Sequence, residues 1–232
     1  MDDAIYAALQ ATWPAAEVRR LGPWTLRRGE GGGNRTEAAS LEGPLADIEV
    51  AEAAMRAWNQ RPLFILRPGE DALDAALAER GYGVPDRNRI YAARAAELAA
   101  PGELNAIPCV APLAAMVEIW AEGDIGAAKL AVMARAPARR TYLLGRLDDC
   151  PAGCAFVAAH AGVAMLSALH VTPGARRRGL AGHLLRAAAA WAGQAGAGTL
   201  ALAVKGDNAP ARALYERLGM AEFGGYHYRA AP

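Results

Sequence analysis

The chain predicts an α/β fold, on three observations. Helix-period segments alternate with short runs of apolar and β-branched residues. Three of those runs, 141–147, 153–159 and 163–171, succeed one another with only short turns between them, which predicts an antiparallel meander. The third run passes through Pro173, Gly174 and the turn Arg176-Arg177-Arg178-Gly179 into an Ala-rich helix over 181–195, and strand, turn and helix come again at 199–204 and 210–218.

In chain order, residues 5–12 carry helical spacing. Residues 24–28 and 35–40 read as two strands around Gly29-Glu30-Gly31-Gly32-Gly33, a hairpin turn with no clear helix after it. Residues 47–58 are helical in period, 63–66 form a short buried strand, 72–80 a helix stopped by Gly81, and 90–93 a last strand. The stretch 96–108 is polar and holds Pro101, Gly102 and Pro108, so it divides the chain into units 1–97 and 98–232. The second unit opens with helices over 113–122 and 127–134. Cys150-Pro151-Ala152-Gly153 reads as a turn before the second strand of the meander. At the end, Tyr226-His227-Tyr228-Arg229 alternates like a surface edge strand; lining an acceptor pocket is its other reading.

The two units echo each other. Strand 63–66, Pro68-Gly69-Glu70-Asp71, helix, Gly81-Tyr82 parallels strand 200–204, Lys205-Gly206-Asp207-Asn208, helix, Gly219-Met220. With a one-residue gap Ala78 stands where Tyr215 stands, no Asn occupies the turn, and the first unit has no basic loop leading into a helix. The first unit thus reads as a degenerate copy of the second. The competing reading is coincidence between common strand–turn–helix units.

Composition narrows the function classes. A formal net charge of +1 argues against broad binding to nucleic acid or an anionic membrane. No apolar run has membrane length, and Met1-Asp2-Asp3 has the wrong sign for an export signal, so a cytoplasmic protein is expected. Cys109, Cys150 and Cys154 are an odd set without zinc spacing; they read as reduced thiols packed as small hydrophobes, and no metal is expected.

The chemistry concentrates in Arg176-Arg177-Arg178-Gly179-Leu180-Ala181-Gly182. Helix-start N–H groups and the helix dipole favour an anion, and Gly179, Ala181 and Gly182 let a ligand approach the backbone. Three cations beside the positive end of a dipole are awkward unless an anion joins them. The spacing is neither that of a dinucleotide loop nor that of a nucleoside triphosphate loop. Arg176-x-x-Gly179-x-Ala181 after Val171-x-Pro173 resembles the acyl-coenzyme A pyrophosphate loop of the GNAT superfamily of N-acetyltransferases. The block Asn208-Ala209-Pro210-Ala211-Arg212-Ala213-Leu214-Tyr215-Glu216-Arg217-Leu218-Gly219-Met220 is similar to the same family's Asn-x-x-Ala-x-x-Leu-Tyr-x-x-x-Gly-Phe segment, with Met220 in the Phe place. The detailed match covers the last ~110 residues.

The resemblance implies a mixed, mostly antiparallel sheet flanked by helices, joined by a second, degenerate unit of the same kind. It implies acetyl-coenzyme A as co-substrate, and direct transfer of the acetyl group to a primary amine on a small molecule or a peptide N-terminus. Residues 176–182 would hold the diphosphate. Leu169 and Val171 would offer main-chain contacts to the pantetheine arm along a strand splayed from 199–204. Asn208 would bond that arm, and Tyr215 would serve as the acid beside the leaving thiol. As side chains, Leu169 and Val171 are more simply core residues, Asn208 is equally a turn residue, and the other reading of Tyr215 is an aromatic anchor of its helix. No base is evident: where some relatives carry Glu in the strand before the Asn segment, this chain has Ala203. His170, which reads better as a buried structural histidine, Glu118, Glu122, Asp124 and water all remain open. An acyl-coenzyme A sensor without turnover is the main rival, and a nucleotide or phosphosugar binder the third. The acceptor is not specified by the sequence, and a homodimer is allowed.

Overall fold

The computed structural model describes residues 2–99, 105–137 and 139–232. Helix α1 (Asp2–Ala11) precedes an antiparallel meander of β1 (Glu17–Leu21), β2 (Trp24–Arg28) and the short β3 (Ser40–Leu41), with the single turn α2 (Asn34–Glu37) between the last two. Then come α3 (Ile48–Ala57), β4 (Leu63–Leu66), α4 (Asp71–Glu79) and β5 (Arg87–Arg94). Helix α5 (Ala95–Leu98) leads toward β6 (Ala106–Cys109), α6 (Ala114–Ala121) and α7 (Ala127–Arg135). The long meander β7 (Arg140–Leu147), β8 (Cys150–His160) and β9 (Val163–Val171) precedes α8 (Leu180–Gln194), β10 (Thr199–Lys205), α9 (Ala209–Arg217) and β11 (Ala221–Ala230).

The large sheet runs β4-β11-β5-β10-β9-β8-β7-β6, and every neighbouring pair is antiparallel except β9 with β10. Three helical layers cover it. Helix α8 sets Leu184, Leu185 and Ala188 against Leu143, Val157 and Leu200 on one face; its many alanines suit a close approach to the sheet. On the other face α1 packs Ile5 and Leu9 on Met165 and Ala201, while α6 and α7 pack Met116, Trp120 and Met133 around Phe156. Helices α3 and α4 pack Met55, Leu73 and Leu77 around Trp24 and Phe64 of the first unit. No helix among the described residues is long and apolar enough to cross a membrane.

The echo between the halves has a structural counterpart. A parallel bridge between Ala39 and Phe64 joins the small meander to β4, as β9 joins β10. Each half then exchanges its last strand with the other: β5 pairs antiparallel with β10, β11 pairs antiparallel with β4, and β5 and β11 lie side by side. Every residue of β10 has a partner in β5. Asp74 of α4 ties the exchange from the side, accepting from Arg229 Nε at 2.7 Å with His227 Nε2 equally close.

Four sequence expectations are corrected. Residues 35–40 are not one strand: Thr36 bonds back to Gly33 through both its N–H (2.9 Å) and its hydroxyl (2.8 Å), winding Asn34–Glu37 into α2 and leaving only Ser40–Leu41 extended. The Gly29–Gly33 run is therefore a turn entering a helix, not a hairpin loop; Gly33 at φ +98 makes the entry. Residues 150–153 belong to β8, and the turn lies earlier, at Asp148 and Asp149, both with positive φ. A bulge between Gly145 and Arg146 accommodates Pro151 in the strand. The terminal segment is not an edge strand: β11 runs between β4 and β5, with Tyr226 and Tyr228 buried. Across the expected join between units, α5 and β6 extend the regular structure; residues 100–104, with Pro101 and Gly102, lie outside the described residues.

Candidate active site

Strands β9 and β10 pair from Val163–Thr199 to Leu166–Leu202 and then part. The cause lies in β9. Ser167 pairs with Phe156 and His170 with Cys154, so Ala168 and Leu169 together face the single residue Ala155. Ala168 takes φ +52, and Trp120 Nε1 donates to its carbonyl at 2.7 Å, pinning the bulge. A bulge bends a strand and re-aims the residues beyond it. Thr172 N–H donates to Ala152 O, toward β8, so by alternation the main chain of Leu169 and Val171 turns toward the gap. The gap is a cleft of about 500 Å³ whose lining includes Leu166, Ser167, Leu169, Val204, Asn208 and Tyr215.

The N-terminus of α8 stands near the end of β9. Gly179 caps it in the left-handed conformation (φ +86) without a side-chain cap, and Arg177 also has positive φ (+64). Gly182 and His183 donate back to Gly179 O, whereas the N–H groups from Arg177 to Ala181 have no acceptor among the described residues. Free N–H groups at the positive end of a long helix, with no acidic residue in its first turn, form an anion seat. The arginines differ in their engagements. Arg178 pairs with Asp148 at 2.9 Å, and Arg176 Nε donates to Val171 O at 3.1 Å. Leu180 contributes only backbone to this seat, because its side chain is buried between Gly145 and Gly153.

Tyr215 lies on the cleft wall in contact with the Tyr91 ring, centroids 5.6 Å apart. Burial pushes its phenol up to about 12. The group is thus held neutral and ready to donate. Asn208 is the N-cap of α9, its Oδ1 accepting from Ala211 N–H at 3.2 Å, so its amide NH₂ is the half that can reach the cleft.

The base candidates fare differently. His170 is absent from the cleft lining; it packs against Gly123, its buried Nε2 lacks a partner, and burial lowers its pKa, helped by Arg176. Glu118, Glu122 and Asp124 are exposed and do not line the cleft either. The structure brings none of the four to the place where β9 and β10 part.

The far wall includes Tyr226 and Tyr228, for which pocket lining was the alternative reading, and individual first-unit residues that sequence reasoning did not single out. Trp13, Gly32, Arg35 and Asp86 from the first unit, with Lys129, Tyr226 and Tyr228, complete the lining. Asp86 pairs with Lys205 at 2.9 Å and accepts from Asn34 Nδ2 at 3.2 Å. Arg35 lies over the Trp13 ring at 5.3 Å and reaches Ser167 Oγ at 3.4 Å. The glycine run was the available signal: a turn that rich in Gly, with Asn-Arg directly after it, is where backbone passes close to something else.

Residues 112–220 match the family model described as acetyltransferase (GNAT) family. A GCN5-related N-acetyltransferase from Kribbella flavida is similar over 99% of this chain and 93% of its own, with 20% identity and a TM-score of 0.74. A GNAT-family protein from Novosphingobium aromaticivorans DSM 12444 covers 92% of this chain and 89% of its own at 18% identity and a TM-score of 0.59. A tandem GNAT protein from the clavulanic acid biosynthesis pathway covers 94% and 84% at 13% identity and a TM-score of 0.60. At such identities the likeness is one of fold. A search of curated protein sequences gave no match.

Proposed function

We propose, from the match of residues 112–220 to the GNAT acetyltransferase family model, that the chain moves the acetyl group of acetyl-coenzyme A to a primary amine. The observation that carries this reading is the parting of β9 from β10 beside an uncapped helix N-terminus. One site takes the diphosphate, the other the pantetheine arm and its thioester. In this reading the N–H groups of residues 177–181 and the Arg177 charge hold the diphosphate, with Gly182 leaving room for its approach. The main chain of Leu169 and Val171 pairs with the amides of the arm, and the Asn208 NH₂ donates to it.

The amine's lone pair attacks the thioester carbonyl, forming the C–N bond. The resulting tetrahedral intermediate collapses with loss of the C–S bond. The amine gives up its surplus proton to water, since Asp86, the carboxylate that lines the cleft, is paired with Lys205, and no histidine lines it. Tyr215 attends the sulfur. A coenzyme thiol resembles a cysteine thiol at about 8.5, so a phenol near 12 hydrogen-bonds the departing thiolate rather than surrendering its proton outright. That donation is strongest as charge develops, which is when it accelerates the reaction.

The first unit serves as wall rather than as a second cofactor site. Helix α3 occupies the place that α8 holds in the second unit, between a strand and its parallel neighbour. Its N-terminus is closed by Asp47, whose side chain accepts from Glu49 N–H at 2.9 Å, and Glu49 adds a second carboxylate in the first turn. Those charges repel a phosphate.

The test is thiol release from acetyl-coenzyme A across a panel of amines. Wild-type protein should release thiol with some amines, and Tyr215→Phe should lower kcat by about 10²-fold while leaving cofactor binding within a few-fold. Tight cofactor binding without release for any amine would establish the sensor instead.

A further inference from the structure

The charges on the far wall of the cleft do not balance. Three cations line it, Arg35, Lys129 and Lys205, against one carboxylate, Asp86. Asp86 is spent on Lys205. Lys129 Nζ donates to the Asp124 backbone carbonyl at 2.7 Å, and neither Lys129 nor Arg35 has an ion-pair partner among the described residues. A diphosphate held at α8 lies at the other end of the site and does not account for this surplus, and the acetyl group is neutral.

Arg35 is the better-placed of the two. Its guanidinium is half-buried, lies over the Trp13 ring and is within reach of Ser167, the residue at which β9 leaves β10. The Tyr226 and Tyr228 phenols line the same wall and feel its charge; burial holds both neutral, Tyr228 donates to Tyr226, and the Tyr226 hydroxyl proton is left for an anion. The Trp13 ring and the Ser167 hydroxyl restrain the guanidinium from two sides, and its fork of N–H donors matches the two oxygens of a carboxylate. From this arrangement we infer that the acceptor is a small amine bearing its own carboxylate, of the amino-acid class, held through that carboxylate by Arg35 with support from Lys129. Arg35 is then a specificity residue supplied by the first unit. The inference rests on the acetyltransferase reading for what happens to the amine, though not for the binding itself.

The experiment has two readouts. Protein saturated with coenzyme A is titrated calorimetrically with proteinogenic L-amino acids and with the matching amino acid amides, which keep the amine and lose the carboxylate. The same panel is assayed for thiol release with acetyl-coenzyme A. Some amino acids should bind and turn over, their amides roughly 10- to 100-fold more weakly. Arg35→Gln should raise Kd and KM for the amino acid by a similar factor, with kcat and the cofactor KM within a few-fold. Arg35→Lys, which keeps charge but not the fork, should recover part of the loss, and Tm identifies any variant that fails to fold. Carboxylate-dependent binding that Arg35→Gln abolishes, without turnover, would support the inference and sink the enzymatic reading. Amides or neutral amines that bind or react as well as amino acids, or binding of neither, would overturn the inference even if thiol release is vigorous.

Discussion

Tyr215 and Asn208 show how one residue serves local structure and chemistry together. By sequence Asn208 is equally a turn residue and a ligand, and in the fold it is an N-cap whose other half faces the cleft. Tyr215 is an aromatic anchor against Tyr91 and lines the cleft as well. Its raised pKa fixes the sign of a pH effect. A phenol shifted to about 12 stays protonated throughout the range in which an amine loses its proton, so kcat/KM should rise with pH toward a plateau. A fall between pH 8 and 10 that Tyr215→Phe removes would show a phenol with an ordinary or lowered pKa and contradict this role. Arg35 and Asp86, by contrast, are not legible as site residues: each looks like a solvated charge until the fold brings the first unit against the second.

Among the elements, those with strong local signals are legible. Helix α8 has its Gly start and apolar face, and α9 has Pro210 near its first turn and Gly219 (φ +86) at its exit. Local spacing is not enough for α2, where the hydrogen bonds of Thr36 to Gly33 outweigh the strand pattern, nor for β8, which tolerates Pro151 through a bulge opposite it. The bulge in β9 is invisible for another reason: nothing in the identity of Ala168 marks a left-handed backbone. Trp120 holds it from a different helix. Trp120→Phe removes that donor from a buried carbonyl and should cost about 1–3 kcal/mol, read as a lower Tm. Because the bulge opens the cleft, the acetyl-coenzyme A KM should rise as well. A stability loss with an unchanged KM would separate the bulge from the cleft's shape.

For the whole molecule, the sequence shows an echo between its halves but not the exchange of strands between them. Both halves end in strand–helix–strand, and only tertiary pairing decides which final strand goes where. The exchange makes the units interdependent. Without residues 1–97, β10 loses its partner along its full length and β11 loses both neighbours, leaving open strand edges that invite aggregation. A fragment of residues 98–232 should be insoluble or unfolded alone and recover on co-expression with residues 1–97, and the intact chain should unfold in one transition. A soluble, folded, cofactor-binding fragment would show that the units are independent.

Where the cofactor lies decides between these readings, and a crystal structure of the complex with acetyl-coenzyme A tests that most directly. The expected density places the diphosphate on the N–H groups of residues 177–181, the pantetheine arm between β9 and β10, and the thioester sulfur within hydrogen-bonding reach of the Tyr215 hydroxyl. A cofactor bound elsewhere, or an arm that never enters the gap beyond Leu166 and Leu202, would contradict it.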